Sequence, residues 1–256
     1  MSAACCNAVV AAHAEVIPGI RLLTAVWPAE LPAPHAGQFY TLRAWGADEA
    51  PFLSRPISVH KWDETARTVE FLYQVRGMGT EKITKLQLGD LFQLTGPMGN
   101  GFDVADLAAK YDRIAVVGGG IGTAPLYQLV RELAAAGKKP DVFFGFADTP
   151  YCMEEYKEVA NLVKVATDSG RYGFHGFVTQ LYDPADYDVV LTCGPHIMMQ
   201  NVYKACAEKG VICYASLESK MACGIGACLG CTCKTNSGEG KSVCKHGPVF
   251  EASEVL

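Results

Sequence analysis

The 256-residue sequence has no stretch that reads as a membrane span. Its longest uncharged apolar run, Ile114 to Val130, is broken by four glycines and a proline and is shorter than the ~18 residues a spanning helix needs. No Lys or Arg precedes Arg21, so the small apolar opening lacks the positive n-region of a secretory signal, although Ala12-His13-Ala14 has the look of a cleavage site. Net charge is modest, 22 basic against 27 acidic residues for −5, which gives no broad attraction to nucleic acid or to an anionic membrane. There is no internal repeat and no low-complexity tract. With half the residues hydrophobic and 19% charged, disorder is excluded and there is material for buried cores.

What the chain does have is cysteine, 11 residues in all, about 4% and too sparse for a disulfide scaffold. Five fall between Cys223 and Cys244, and six are scattered over the first 213 residues. Clustered thiols in a chain without an export signal point to a cytoplasmic protein with metal or redox work. Cys5, Cys6, Cys152, Cys193, Cys206 and Cys213 are expected to be small buried residues.

At this length about two domains are expected. Residues 1–102 read as short strands such as Gly37 to Arg43 and Thr68 to Val75, punctuated by Pro and Gly. Many short strands favour a small antiparallel β-barrel. One short helix is expected at Thr80 to Leu86 with Thr80 as its N-cap. Over 103–215 strands alternate with helices, which predicts a parallel α/β sheet covered on both faces. Its strands are expected at Arg113 to Val117, Asp141 to Phe146, Leu162 to Ala166 and Tyr187 to Thr192. Its helices are expected at Thr123 to Ala136, Glu154 to Ala160 and Ile197 to Glu208. Residues 216–256 form a Cys/Gly-rich loop subdomain unable to build a core of its own.

In that tail Cys223 and Cys228 are spaced C-x4-C, Cys228 and Cys231 C-x2-C, and Cys244 follows at a distance. This is the plant-type [2Fe–2S] spacing. One loop must present thiolates to two irons and aim N–H groups at sulfur, and Gly224, Gly226 and Gly230 permit the close approach. A four-cysteine zinc site is the rival; zinc usually takes two short-spaced pairs, and Cys244 has no partner beside it. Cys233 reads as a bystander.

Two nucleotide-type blocks precede the tail. Arg55-Pro56-Ile57-Ser58 offers a guanidinium that can grip a diphosphate and a hydroxyl three residues on that can meet a flavin edge. Arg76-Gly-Met-Gly79-Thr80 leads glycines into a helix start, a ready anion site. Together they read as a diphosphate clamp. Gly118-Gly119-Gly120-Ile121-Gly122-Thr123 lies between a buried strand and a helix, the context of a nucleotide site, but it does not satisfy G-x-G-x-x-G. Cys193-Gly194-Pro195 ends a second strand on the same sheet edge. Asp148 is placed to accept a ribose hydroxyl and to repel a 2′-phosphate, favouring NAD over NADP; a helix N-cap acid is the plainer alternative.

These blocks, in this order and over nearly the whole chain, resemble the electron transfer subunits of type B dihydroorotate dehydrogenases, within the ferredoxin–NADP reductase superfamily. Thr167-Asp-Ser-Gly170 and the stretches Met221 to Cys231 and Val243 to Phe250 belong to the likeness. The resemblance implies FAD held by Arg55, Pro56, Ile57, Ser58, Leu72, Tyr73, Gln74, Gly79 and Thr80. It also implies a [2Fe–2S] cluster on Cys223, Cys228, Cys231 and Cys244, and NAD at the glycine-rich turn and Cys193-Gly194-Pro195. Much of the superfamily carries an aromatic where Ile57 stands, so flavin stacking is expected from Tyr73. Ser169 stands where the family more often has a second acid.

A chain with flavin and iron–sulfur groups converts two-electron into one-electron traffic, and the hydride chemistry is the cofactors'. No nucleophile, carboxylate pair or cysteine–base motif is aimed at an organic substrate, so no catalytic residue is assigned, and the six histidines read as surface or packing residues. The implied partner is an FMN-containing dihydroorotate dehydrogenase catalytic subunit, two of each in a hetero-oligomer, facing the cysteine loop and exchanging electrons with NAD+ in pyrimidine biosynthesis. Related subunits serving ferredoxin, sulfide or hydrogenase chemistry are the alternative.

Overall fold

The computed structural model describes residues 4–256; residues 1–3, where the first expected domain and the leader-like segment begin, lie outside it. The first half contains β1 (Ala4–Ile17), β2 (Ile20–Val26), β3 (Phe39–Arg43), β4 (Arg55–Ser58), β5 (Lys61–Asp63), β6 (Thr68–Gln74), a helix α1 (Met78–Ile83) and β7 (Leu91–Met98). The strands pair antiparallel in the order β4-β3-β7-β1-β2-β6-β5. β4 and β5 sit at opposite edges, yet only Val59 and His60 separate them, and the His60 N–H donates to Glu70 O of β6 at 2.9 Å. The sheet therefore curls until its edges meet, giving the expected small barrel. Leu23, Tyr40, Leu42, Phe71, Phe92 and Leu94 fill it. The apolar opening of the chain is its central strand, with Ala8 and Val10 inward and Cys5 outward in the two-residue alternation of a strand. Cys5 is thus exposed, and Cys6 and Cys152 are half-buried; only Cys193, Cys206 and Cys213 of the scattered set are buried as expected.

The second half runs α2 (Val104–Lys110), β8 (Ile114–Gly119), α3 (Leu126–Ala135), β9 (Asp141–Phe146), α4 (Met153–Val159), β10 (Leu162–Thr167), β11 (Phe174–His175), β12 (Val189–Cys193), α5 (His196–Lys209) and β13 (Ile212–Ser216). The tail adds β14 (Thr232–Lys234), β15 (Gly240–Ser242), α6 (Val243–His246), β16 (Val249–Glu251) and α7 (Ala252–Val255). One sheet of order β11-β10-β9-β8-β12-β13-β16 results, parallel except where β16 runs antiparallel to β13. Its central strands are apolar on both faces, as burial on both sides requires.

Two helices depart from expectation. The segment read as one helix from Thr123 is a 3-10 turn over Gly120–Thr123 followed by α3, with Pro125 at the junction, where proline's fixed φ and missing N–H suit a first turn but not a helix interior. α1 starts at Met78 with Gly77 as N-cap, so Thr80 is its third residue rather than its cap.

The halves share cores. Ile20 and Leu72 of the barrel pack with Ile114, Val116, Leu126 and Leu129. On the other sheet face Phe39 and Met98 pack with Val117, Ala215, Cys231, Val243, Cys244 and Phe250, so the tail borrows its core. Polar contacts add to this: Gln128 Oε1 accepts from Trp62 N–H at 2.9 Å, and Glu132 Oε1 accepts from Ala36 N–H at 3.2 Å. Among the described residues, no helix is long and apolar enough to cross a membrane.

Candidate functional site

A cavity of about 250 Å³ opens where barrel, glycine turn and tail meet. Its walls include Pro56, Ile57 and Ser58 of β4, Leu72, Tyr73 and Gln74 of β6, Ile121 and Ala124, and Leu217, Glu218, Ser219, Met221 and Pro248 of the tail. β4 and β6 are brought together by barrel closure. The Tyr73 ring is only 1% exposed, is packed in the barrel core, and its hydroxyl lies 3.0 Å from His13 Nε2. It cannot stack on a ligand in the cavity, which corrects the role expected for it. Leu72 and Gln74, its neighbours along the strand, lie on the opposite face by alternation. Met221 and Pro248 lie in the stretches that carry the family likeness, whereas Leu217, Glu218 and Ser219 were not singled out from sequence. Leu217 to Ser219 follow the carboxyl end of β13, where ligands of a parallel sheet collect; recognising that strand would have found them.

Arg55 lies beyond the cavity, over the start of α1. Its Nη1 donates to Leu53 O at 2.8 Å, and its guanidinium carbon is 5.8 Å from the centre of the Trp45 ring. Gly79 leaves room for it: a Cβ there would meet Arg55 Nε at 2.2 Å. Thr80 is committed locally. Its hydroxyl accepts from Arg76 N–H at 2.8 Å and Gly77 N–H at 3.1 Å, and donates to Gly77 O at 2.8 Å, which uses a hydroxyl's full capacity. Thr80 therefore shapes the turn, while the first N–H groups of α1, which have no partner within the helix, and Arg55 supply the positive ends.

The nicotinamide-type blocks face one another at the sheet's switch point. After β8 the chain builds outward through β9 and β10, whereas β12 and β13 lie on the other side, and ligands bind outside such a reversal. Gly118 pairs with Cys193 in register. A Cβ on Gly122 would stand 2.5 Å from Gly194 Cα, and one on Gly119 would stand 2.9 Å from Pro195 Cδ, so Gly118, Gly119, Gly120, Ile121 and Gly122 lie against Cys193, Gly194 and Pro195. Asp148 follows β9, and Arg171 Nη1 donates to its carboxylate at 3.1 Å. The Ser169 hydroxyl, then Arg171 and Thr149, hold this carboxyl below its usual range. With Arg171 beside it, Asp148 loses much of its expected power to repel a 2′-phosphate.

The tail cysteines fall into two pairs. Cys228 N–H donates to Cys223 Sγ at 3.4 Å, and Cys244 N–H to Cys231 Sγ at 3.4 Å. Gly226 N–H donates to Cys244 Sγ at 3.1 Å and Gly230 N–H to Cys228 Sγ at 3.4 Å. The N–H groups of Cys228 and Ile225 bring the Cys223 thiol down to about 6, whereas burial, then Cys231, pushes Cys244 up to about 12. A single zinc with Zn–S of ~2.3 Å needs four sulfurs all about 3.8 Å apart. Among the described residues, the one group of His, Cys, Asp or Glu donor atoms lying within 4.8 Å of one another is elsewhere. Two cysteines for each of two irons fit this loop, and one zinc does not. Cys233 instead bonds Lys241 O at 3.3 Å in the hairpin of β14 and β15.

The loop is tied to the barrel. A Cβ on Gly224 would meet Met98 Sδ at 2.5 Å, and one on Gly99 would meet Pro248 Cδ at 2.6 Å. Asn100 Nδ2 donates to Lys245 O at 3.1 Å. Its outer rim carries exposed Ile225, Cys228 and Leu229.

Comparison with known proteins gives the family. The iron–sulfur cluster binding domain of dihydroorotate dehydrogenase B matches residues 218–256. The dihydroorotate dehydrogenase B (NAD+) electron transfer subunit of Clostridium acetobutylicum is 46% identical over 220 residues, 86% of this chain and 85% of that one. That of Clostridium perfringens is 43% identical over 243 residues, 94% of each. An NADH-dependent reduced ferredoxin–NADP oxidoreductase, solved in connection with flavin-based electron bifurcation, superposes with a TM-score of 0.84 at 25% identity, covering 97% of this chain and 89% of that one. The ferredoxin reductase of carbazole 1,9a-dioxygenase shares the fold at a TM-score of 0.67 and 20% identity, over 82% of this chain and 67% of that one. At 46% and 43% identity over most of both chains, the chain belongs to the family of dihydroorotate dehydrogenase B (NAD+) electron transfer subunits.

Proposed function

We propose that this protein is the electron transfer subunit of a dihydroorotate dehydrogenase complex, accepting electrons from an FMN-bearing catalytic partner and delivering them to NAD+ in pyrimidine biosynthesis. The observation that carries it is the pairing of Cys223 with Cys228 and of Cys231 with Cys244 in a loop packed on the barrel beside the β4–β6 cavity. Bound FAD exchanges electron pairs with a nicotinamide and single electrons with a [2Fe–2S] cluster, so the redox chemistry is the cofactors' and position is the protein's.

In this reading Arg55 neutralises a diphosphate with the help of the first N–H groups of α1. Pro56, Ile57, Leu72 and the backbone of Tyr73 wall the ring system against water, and Ser58 and Gln74 offer polar atoms to its edge. Gly79 admits Arg55, and Thr80 keeps the turn in shape. Gly118 to Gly122 with Cys193, Gly194 and Pro195 leave a side-chain-free edge for NAD. Cys223, Cys228, Cys231 and Cys244 hold the cluster, and the N–H groups aimed at their sulfurs stabilise thiolate charge. Exposed Ile225 and Leu229 beside Cys228 present the partner with an apolar contact at the cluster. A cytoplasmic location, where thiols stay reduced, and a complex of two copies of each subunit belong to the same proposal.

The test is anaerobic purification with the co-expressed partner. One FAD, two irons and two labile sulfides per chain, with an FMN-bearing dehydrogenase co-purifying, are expected; Cys228→Ser loses iron and Cys233→Ser keeps it. Stoichiometric zinc in place of iron, or a ferredoxin-dependent protein as the sole partner, would overturn the assignment.

A further inference from the structure

His60 was expected to be a packing residue, and its burial agrees, but one of its nitrogens is unaccounted for. It is the second of the two residues linking β4 to β5, and it is 0% exposed. Its Nδ1 lies 2.8 Å from Ala124 O. A carbonyl only accepts, so Nδ1 carries a proton and Nε2 points the other way. That Nε2 is buried with no hydrogen-bond partner. Facing it at 3.6 Å is a carboxylate oxygen of Glu155, on α4. An imidazole nitrogen and a carboxylate oxygen thus meet just beyond hydrogen-bond distance.

The third group is Cys152, in a left-handed conformation with φ of 58° immediately before α4. His60 Nε2, Cys152 Sγ and a Glu155 oxygen all lie within 4.8 Å of one another. The ring is fixed on its far side as well, stacked on Tyr127 at 5.0 Å between centroids. An imidazole oriented by a backbone carbonyl through its other nitrogen is the usual posture of a metal-binding histidine. The charges nearby favour a cation: Glu155 and Glu70 both act on the Cys152 thiol, against Lys61, which pairs with Glu70 at 3.3 Å.

We propose that His60, Cys152 and Glu155 form a binding site for one zinc-type divalent transition ion, with water in the fourth position, that ties the barrel to the nucleotide half. One nitrogen, one sulfur and one oxygen suit zinc or cobalt and exclude calcium and magnesium, which take oxygen ligands. Tetrahedral donors at ~2.0–2.3 Å from zinc stand roughly 3.3–3.8 Å apart, a range the His60–Glu155 separation of 3.6 Å already meets. Glu155 is half exposed and can rotate to complete closure. Coordination exchanges the Cys152 S–H bond for an S–metal bond and releases one proton to solvent. The site is independent of the cysteine loop and of the electron-transfer assignment.

The experiment uses the FAD- and cluster-loaded protein, washed with chelator and titrated with zinc or cobalt chloride under anaerobic conditions. One zinc per chain is expected to bind beyond the iron, with the cluster absorption unchanged and one proton released per ion. Cobalt is expected to bring a thiolate-to-metal charge-transfer band that Cys152→Ser abolishes, and Cys152→Ser and Glu155→Gln should each weaken zinc binding at least tenfold. Both variants keep His60, the fully buried member, so folding is preserved; retention of flavin and cluster spectra checks this. No zinc uptake by the wild-type protein at micromolar metal, or equal uptake by wild type and both variants, overturns the proposal.

Discussion

Arg55 lies across Gly79 so closely that a Cβ on the glycine would stand 2.2 Å from Nε and 2.8 Å from the guanidinium carbon. The obstructed atoms belong to a flexible side chain, so Gly79→Ala moves the arginine rather than breaking the fold. Losing charge-assisted hydrogen bonds worth ~1.5–3 kcal/mol weakens FAD binding by roughly ten- to hundredfold. Arg55→Ala has a similar effect, and the double variant is no worse than Arg55→Ala alone, because both act on one contact. Fluorescence titration of the deflavinated protein measures all three; additive losses would separate the two residues.

Ile225 and Leu229 are 58% and 65% exposed on the rim of the cysteine loop. Leu229 has a φ of 59°, a conformation Asp tolerates better than Leu. Leu229→Asp therefore leaves iron and FAD content intact while weakening association with the catalytic partner roughly tenfold or more, the scale of a central apolar contact. Gel filtration and titration of the separated subunits report it. Unchanged association would remove this rim from the interface.

Glu132 links the halves with a carboxylate whose burial raises its pKa, against the donated hydrogen bonds of Gln128 and Ala36. A raised folded-state value means that the native protein holds the proton more tightly than the unfolded chain. Stability therefore falls as pH climbs from the ordinary glutamate value, ~4.3, through the raised one, and the deficit is complete above it. Glu132→Gln keeps an oxygen to accept both bonds and removes that penalty. Its thermal midpoint should exceed the wild type's at pH 7, with the difference closing as pH drops below ~4.3. A difference independent of pH would assign the effect to packing.

The cysteine loop was legible because its chemistry is local: C-x4-C-x2-C places three donors within nine residues, and Cys231 with Cys244 needed only a return of the chain. The parallel sheet was legible because doubly buried strands such as Ile114 to Val117 are apolar without interruption. What depended on distant contacts was hidden. The face that Tyr73 presents follows from the register of β6 against β2, which no composition reveals. Thr80 has the residue type of an N-cap, but Gly77 takes that place and leaves Thr80 to close the turn. The meeting of His60 with Glu155 arises only after barrel closure brings the β4–β5 link onto α4.

The stretch carrying the four cysteines leaves and re-enters the molecule at almost one point, since Leu217 N–H donates to Pro248 O at 2.9 Å and β16 then lies beside β13. An excursion whose two feet stand one hydrogen bond apart can be gained or excised without rerouting the scaffold beneath it. The same stretch is thus a natural unit for grafting onto cluster-free reductases of this architecture.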